Sequence, residues 1–242
     1  LKHNPPKFSF IGDKVLPYSD VSSMLEYPAG TLWLGLYNGQ IVRYTLADGT
    51  ATVLPGTPST RVRGLARLPD GNILVGTGSG LWVLDPERFR LAPYRAPPGT
   101  PVPERVLQIS TAPNGSPWIS TADTGVCTMN RAYTRLICAE NGLPSPVYAT
   151  YWDRQGRLWL SFWGGGVMRY DPRTRALRRY EHLDNVEGTL PSNNVSAFQE
   201  DDRGTLWIAT YGAGIARFNE QTGSFTVVDE RHGLPSSIVF AL

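Results

Sequence analysis

Side chains able to carry acid–base or metal chemistry are few in this sequence, and they are scattered. The three histidines, His3, His182 and His232, have none of the spacings at which two side chains bind one zinc ion. Two acidic clusters, at residues 184–187 and 200–202, lack the alternating oxygen ligands around a glycine that a calcium loop needs. We predict that residues 200–202 form a solvated hairpin tip and that neither cluster binds a metal.

Motifs of nucleophilic catalysis and phosphate binding are also missing from the sequence. There is no GxSxG elbow and no Walker loop, and no helix that could bind a phosphate is expected after the glycines at residues 164–166. We therefore predict no catalytic residue, no cofactor and no enzyme activity for this segment. The one obvious candidate for an acid or a base is Asp123.

A repeated pattern, rather than a single motif, organises the chain. The segment GTLWIATYGAGIARFN at residues 204–219 matches GRLWLSFWGGGVMRYD at residues 156–171. Each unit holds four strand-like runs joined by turns that contain glycine. The pattern of an apolar anchor followed by a glycine occurs five times, with the anchors at Trp33, Leu74, Trp118, Trp159 and Trp207.

Repeats of about 40–50 residues with four strands indicate the blades of a β-propeller. A single blade cannot bury both of its faces, so we expect the anchor tryptophans to fill the gaps between blades. We predict an all-β fold with almost no helix, in one domain over residues 1–242. The predicted blades cover residues 16–60, 61–104, 105–146, 147–193 and 194–237, with partial blades at 1–15 and 238–242.

The two ends of the chain resemble isolated strands of further blades. Residues 7–11 resemble a fourth strand, and residues 237–242 resemble a first strand. Five full blades therefore lie between a leading outer strand and a trailing inner strand. We expect an arc of a larger ring.

Composition and charge narrow the class of protein. The 242 residues include 25 Gly, 20 Pro, 7 Trp and 11 Tyr, which suits many short strands joined by turns. The formal net charge of +2 gives no strong attraction to nucleic acid. No apolar run approaches the roughly 20 residues of a membrane helix. We expect no nucleic-acid partner and no membrane contact by this segment. Because the chain begins with Leu1, we also expect it to be part of a longer protein.

The two cysteines fall on runs predicted to be neighbouring antiparallel strands. Cys127 begins one run and Cys138 ends the next, and a turn between them places the two residues opposite each other. Residues so placed can form a disulfide. The alternative is that both are small buried apolar residues.

Candidate ligand-binding residues gather on one face of the predicted propeller. That face carries the turns between the second and third strands and the starts of the inner strands. These positions hold Tyr37, Asn38, Ser79, Asp123, Trp163 and Tyr211 in the turns, and Arg61, Arg63, Arg105, Tyr148 and Asn194 at the strand starts. All except Ser79 and Arg61 are our candidates for ligand contact. Aromatic faces near Arg, Asn and Asp suit a sugar or an anionic oligosaccharide. The alternative is that these rings pack against adjacent blades.

The recurring unit resembles a known repeat. It reads (H/N)GLPSxxV, a first strand, (D/N)xxGxLWIxT, a glycine-rich turn and G(I/V)xR(Y/F)(D/N), with lead-ins at residues 141–145, 189–193 and 232–236. This pattern resembles the two-component regulator propeller repeat over essentially all of residues 16–242. The unit around Leu74 departs most, because it lacks the tryptophan and the lead-in.

The resemblance implies the periplasmic sensor region of a bacterial hybrid histidine kinase or diguanylate cyclase. Such a region has no chemistry of its own, and the kinase or cyclase activity lies in other domains. The implied partners are a small-molecule or oligosaccharide ligand, the remaining blades and domains of the receptor, and, as an open alternative, a second copy in a homodimer.

Three functions follow as hypotheses. The first is a ligand-sensing segment of a signalling receptor. The second is a propeller enzyme such as a periplasmic lyase or glycosidase, which would need acid and base residues converging on the channel. The third is a scaffold that binds another protein along its face.

Overall fold

The computed structural model describes residues 15–130, 132–138, 146–240 and 242. They form twenty strands in five antiparallel sheets of four, which we call blades and number in chain order. The predicted leading strand at residues 7–11, the lead-in at residues 141–145 and His3 lie outside the described residues.

In each blade the four strands lie side by side in chain order. Blade 1 contains β1 (Val21–Glu26), β2 (Thr31–Leu36), β3 (Ile41–Thr45) and β4 (Ala51–Val53). Blade 2 contains β5 (Val62–Arg67), β6 (Ile73–Thr77), β7 (Gly80–Asp85) and β8 (Arg90–Pro93). Blade 3 contains β9 (Val106–Thr111), β10 (Pro117–Thr121), β11 (Val126–Met129) and β12 (Leu136–Cys138). Blade 4 contains β13 (Thr150–Trp152), β14 (Leu158–Phe162), β15 (Gly166–Asp171) and β16 (Ala176–Tyr180). Blade 5 contains β17 (Val195–Glu200), β18 (Leu206–Thr210), β19 (Ile215–Phe218) and β20 (Phe225–Val228).

The first strands of the blades form the inner side of the fold. Each packs on the first strand of the next blade, from β1 through β5, β9 and β13 to β17. The sheets do not close into a ring. The described residues therefore form an arc of a β-propeller, and the predicted fold class is confirmed.

Apolar cores fill the gaps between successive blades. Trp33 is 1% exposed and packs in a cluster with Val62 of the next blade. Trp159 is fully buried and lies in a cluster with Phe198 of blade 5. These contacts confirm the predicted role of the anchor tryptophans. Trp207, the anchor of the last blade, is partly exposed.

The (D/N)xxGxLW pattern has a physical basis in the hairpin between the first two strands. In blade 4, Asp153 Oδ1 accepts the backbone N–H groups two and four residues further on, and Oδ2 accepts Trp159 Nε1–H at 2.9 Å. Asp201 repeats all three bonds in blade 5, with Trp207 Nε1 at 3.0 Å. The bond from Trp207, followed by that from a backbone N–H, lowers the pKa of Asp201 to about 2. The prediction of a solvated tip at residues 200–202 is therefore wrong for Asp201, because its carboxylate holds both the turn and the anchor ring.

The trailing segment, residues 237–242, does not form a regular strand over its described residues 237–240, contrary to the sequence prediction. Its pairing in the described residues is one bridge between Tyr211 and Ile238, supported by a bond from Val239 N–H to Thr210 O at 3.1 Å. The segment lies beside blade 5, and no further strand pairs with it among the described residues. With blade 5 as its one neighbour in the described residues, the trailing segment pairs over a short stretch only.

Helical structure in the described residues amounts to one 3-10 turn at Glu230–His232. In that part of the chain no helix has the length and apolar character needed to cross a bilayer.

An ionic network ties blade 4 to blade 5. Arg157 Nε donates to Asp153 at 2.7 Å, and its Nη1 and Nη2 donate to the two carboxylate oxygens of Glu220 at 2.7 and 2.8 Å. Arg169 adds a bond to Glu220 at 3.0 Å. Burial disfavours the charge of Arg157, but the bonds to Glu220 and Asp153 outweigh burial and raise its pKa.

Cys127 and Cys138 form a disulfide between β11 and β12. The two residues are direct partners in the strand register, as the sequence places them. The buried-apolar alternative for two free thiols is therefore wrong.

Replacing both cysteines with alanine is expected to lower the free energy of unfolding by about 2–3 kcal/mol. The cysteines are 11 residues apart, and closing a loop of that length lowers the entropy of the unfolded chain and so raises its free energy by about this much. Urea unfolding followed by tryptophan fluorescence measures the change. The wild-type protein under reducing conditions should behave like the double variant. Equal unfolding midpoints for the oxidised wild type and the variant would contradict the expectation.

Candidate ligand-binding face

The starts of the first strands and the turns after the second strands meet at one edge of the arc, which we call the upper face. A recurring backbone bond fixes this arrangement. Its donor is the N–H of the residue after the second strand, and its acceptor is the carbonyl of the residue before the first strand. It joins Tyr37 to Asp20 at 2.9 Å, Gly78 to Arg61 at 3.2 Å, Ala122 to Arg105 at 3.1 Å and Tyr211 to Asn194 at 2.8 Å. The upper face therefore collects the candidate residues that the sequence scatters along the chain.

Four aromatic rings form a continuous row on the upper face. The ring centroids of Tyr148 and Trp163 are 5.8 Å apart, those of Trp163 and Tyr211 are 5.7 Å apart, and those of Tyr211 and Phe240 are 5.8 Å apart. We call Tyr148, Trp163, Tyr211 and Phe240 the aromatic row.

The aromatic row remains accessible although its rings contact one another. The residues of the row are between 41% and 71% exposed. The alternative that these rings pack against adjacent blades is therefore only partly correct. The rings contact one another across blades 4 and 5, but about half of their surface remains exposed. A contiguous apolar surface of this kind is typical of a binding site.

Phe240 was missed by the sequence analysis, although a signal for it was present. The sequence LPSSIV at residues 234–239 matches LPSNNV at residues 190–195. Phe240 therefore stands where Ser196 stands in blade 5, one residue into an inner strand. Ser196 Oγ donates to Val239 O, as Ser22 Oγ donates to Val62 O between blades 1 and 2. This shared bond confirms the equivalence.

A small pocket continues the aromatic row toward blade 2. Its volume is about 190 Å³, and Arg63, Arg105 and Tyr148 line it together with Gly78 and Ala122. We call it the arginine pocket. Gly78 and Ala122 follow the second strands of blades 2 and 3, where the other blades carry Tyr37, Trp163 and Tyr211. Gly78 has no side chain and Ala122 has only a methyl group, and this leaves the space that forms the pocket.

The arginine side chains at and beside this pocket have no acidic partner among the residues that the structure describes. Within the described part of the chain, no ion pair joins Arg61, Arg63 or Arg105 to a carboxylate. The Nε atoms of Arg61 and Arg63 are buried without a hydrogen-bond partner among the described residues. Burial lowers the pKa of the Arg63 guanidinium, and the nearby charge of Arg61 lowers it further. The guanidinium of Arg61 lies over the ring of Tyr37, 4.8 Å from its centroid.

Three other predicted site residues hold turns. Asn194 Oδ1 accepts the N–H of Gly164 at 2.8 Å. Asn38 bonds to Gln40 through both its amide nitrogen and its amide oxygen. Asp123 Oδ2 accepts the backbone N–H of Glu104 at 3.0 Å. These side chains shape the upper face rather than project freely from it.

The two described histidines serve local structure. His182 Nδ1 lies 2.8 Å from the Leu190 carbonyl oxygen, and its Nε2 lies 3.2 Å from Asp184. His232 and Asp229 form a reciprocal cap on the 3-10 turn. Among the described residues, no group of three or more His, Cys, Asp or Glu side chains is placed to hold a metal ion.

A pocket of about 580 Å³ lies on the opposite face between blades 1 and 2. Its lining mixes acids and bases, and Asp85 and Arg88 are paired at 3.0 Å. The aromatic residues of its lining, Tyr27 and Trp33, are partly or almost fully buried, unlike the exposed rings of the upper face. We therefore place the candidate site on the upper face.

Comparisons with known proteins agree with this architecture. The family described as "Two component regulator propeller" matches residues 189–212. No curated protein matches the chain in sequence. The extracellular domain of a putative hybrid two component system from B. thetaiotaomicron shares 19% identity and superposes with a TM-score of 0.70 over 88% of this chain and 30% of that one. The chain thus spans about a third of the length of that domain.

Other propellers are also similar. Virginiamycin B lyase from Staphylococcus aureus shares 16% identity, with a TM-score of 0.67 over 92% of this chain and 73% of that one. PorZ, a surface component of the type-IX secretion system of Porphyromonas gingivalis, shares 17% identity, with a TM-score of 0.63 over 91% of this chain and 35% of that one. At these identities the likeness concerns the fold. Residues 189–212 therefore match the two component regulator propeller repeat, and they lie within an arc of five β-propeller blades.

Proposed function

We propose that the chain is the extracytoplasmic, ligand-sensing segment of a bacterial signalling receptor of the two-component type, without catalytic activity of its own. The observation that carries the proposal is the aromatic row on the upper face. Planar ring faces that are half exposed, and that lie beside polar and charged groups, suit the stacking of sugar rings. The proposed ligand class is therefore an oligosaccharide.

Two further observations support a periplasmic location. The fold resembles extracellular domains of two-component systems. The Cys127–Cys138 disulfide suits an oxidising compartment, and the bacterial periplasm is one.

The position of the aromatic row suggests how binding is passed on. Trp163 belongs to the turn after the second strand of blade 4, Tyr211 to that of blade 5, and Phe240 to the trailing segment. A ligand lying along the row contacts all three. A ligand that binds one relative position of blade 4, blade 5 and the trailing segment more tightly than another shifts the population toward that position. The difference in ligand affinity between the two positions supplies the free energy for this shift.

Replacing Trp163 with alanine is expected to weaken oligosaccharide binding by about 10- to 100-fold, because a ring at the centre of a contact surface contributes strongly to affinity. Isothermal titration of the full chain with cello-oligosaccharides and oligogalacturonides measures the change. Leu177→Ala is the control, since Leu177 is 46% exposed but lies on the outermost strand of blade 4. Binding that is equally tight in the Trp163→Ala variant, or no binding of any probe to the wild type, would contradict the proposal.

A lyase is the second candidate, because virginiamycin B lyase shares the fold over 92% of this chain. Elimination needs a base and an acid that face the ligand. Asp123, the candidate from the sequence, is bonded to the Glu104 backbone. Mass spectrometry of the probes after incubation decides between the two functions: intact probes favour the sensor, whereas unsaturated or shortened products favour the enzyme.

A further inference from the structure

The partly buried side chain of Arg63 lies at the upper face without an ion pair among the described residues. Its Nε is buried without a hydrogen-bond partner, and the same is true of Arg61 two residues earlier. A buried guanidinium is normally paired with a carboxylate or with several acceptors, because desolvation penalises an unpaired charge. The guanidinium of Arg61 is partly compensated by the ring of Tyr37, so Arg63 is the group left open to an acceptor from outside the described residues.

Asp123, a carboxylate of the upper face, does not fill this role among the described residues. Asp123 accepts the backbone N–H of Glu104, and no ion pair links it to Arg105 in the described residues. The arginine pocket thus combines two cationic side chains, Arg63 and Arg105, with apolar walls from Val106, Leu107 and Pro146.

The size of the pocket suits one chemical group rather than a whole ligand. Sites for complete small molecules measure about 300–1,000 Å³, whereas this pocket measures about 190 Å³. The guanidinium fork of arginine matches the geometry of a carboxylate or a sulfate.

The pocket and the aromatic row share a residue. Tyr148 lines the pocket, and its ring lies 5.8 Å from that of Trp163. A ligand whose acidic group enters the pocket can therefore continue onto Trp163 and Tyr211 without leaving the protein surface.

We propose that the arginine pocket is an acid subsite, which binds a carboxylate or sulfate group of an oligosaccharide whose rings lie along the aromatic row. This inference rests on the proposed function and specifies that the oligosaccharide ligand carries an acidic group. Arg63 and Arg105 hold the acidic group, and Tyr148 joins the two parts of the site.

Two substitutions test the acid subsite. Arg63→Gln removes the charge but keeps much of the side chain. Gly78→Tyr fills the pocket with the residue type found after the second strand in blades 1 and 5. A side chain is tolerable there, because a Cβ at Gly78 would meet Thr60 at an ordinary 3.5 Å and its φ is not in the left-handed region. Arg90→Gln is the matched control, since Arg90 is an exposed arginine on the outermost strand of the same blade.

The probes are oligogalacturonides, their fully methyl-esterified forms and chondroitin sulfate oligosaccharides, titrated calorimetrically into the full chain. Esterification masks the carboxylates and leaves the sugar rings unchanged. We expect at least one acidic probe to bind, and Arg63→Gln and Gly78→Tyr each to weaken it by about 10- to 100-fold, as for loss of a bond to a charged group. If that probe is an oligogalacturonide, its ester should bind correspondingly less tightly. Arg90→Gln should bind like the wild type.

The outcomes separate the two proposals. If acid and ester bind equally and Arg63→Gln has no effect, while Trp163→Ala still weakens binding, the acid subsite is wrong and the sensing surface stands. If Arg63→Gln weakens binding and Trp163→Ala does not, the acid subsite stands and the aromatic row is wrong. If no acidic probe binds, the acid subsite is overturned.

Discussion

Replacing Asp153 with alanine is expected to lower the free energy of unfolding by about 3–5 kcal/mol. The side chain of Asp153 is 1% exposed and accepts bonds from Arg157 Nε at 2.7 Å and from Trp159 Nε1 at 2.9 Å. Its loss leaves a buried guanidinium with Glu220 as its remaining acidic partner, and leaves the indole N–H without an acceptor. Removing one member of a buried ion pair costs more than the pair contributes, because the other charge stays desolvated.

Urea unfolding of the Asp153→Ala variant measures this loss. Asp70→Ala is the control, because Asp70 is an exposed aspartate in the corresponding hairpin of blade 2, where its carboxylate accepts bonds from Asn72. We expect that control to lose no more than about 1 kcal/mol. Similar losses for the two variants would show that the buried network does not stabilise the contact between blades 4 and 5.

Replacing Trp159 with alanine is expected to cost a similar amount, about 3–5 kcal/mol, because the truncation leaves a cavity in the gap between blades 4 and 5. The Trp159 ring is fully buried and lies 5.0 Å from Phe218, 5.6 Å from Tyr180 and 6.4 Å from Phe198, centroid to centroid. Tyr180 stacks on the indole, while Phe218 meets it edge to face. The large contact area makes this ring the centre of the interblade core.

The two substitutions are not expected to add. Asp153 and Trp159 share a hydrogen bond, so the double variant should lose less than the sum of the single losses. Trp159→Phe serves as the milder comparison, since it keeps an aromatic ring but removes the N–H. A loss of less than about 1 kcal/mol for Trp159→Ala would contradict the assignment of this ring to the packed core.

Much of the architecture was predictable because the same pattern of strands and turns occurs in five successive units of the sequence. Trp33, Trp118, Trp159 and Trp207 each precede a glycine by six or seven residues, and a pattern that recurs in this way indicates one repeated structural unit. The Cys127–Cys138 pair followed from the same reasoning, since the predicted turn places the two residues opposite each other. Local pattern and pairing register agree in these cases.

Contacts between blades were not predictable in the same way. Arg157 and Glu220 are 63 residues apart, and neither belongs to the repeated pattern of apolar residues and glycines. Their pairing depends on the relative orientation of blades 4 and 5, and the repeated sequence pattern within each blade carries no information on that orientation. Asp201 was misjudged for the opposite reason: its acidic neighbours suggest a solvated tip, whereas its own carboxylate is bonded to Trp207.

The candidate site was predictable in its location but not in its internal arrangement. The topology places Arg63, Arg105, Tyr148, Trp163 and Tyr211 on one face, as expected. The sequence did not indicate that the pocket arises from the small residues after the second strands of blades 2 and 3. A small residue such as Gly78 or Ala122 indicates a pocket only when it is compared with the large residues at the equivalent positions of the other blades.

A crystal structure of the full chain soaked with an oligogalacturonide would locate the binding site itself. We expect electron density for a sugar on the ring of Trp163, with a carboxylate directed between Arg63 and Arg105. Density in the groove between blades 1 and 2 on the opposite face, with the upper face empty, would contradict this expectation.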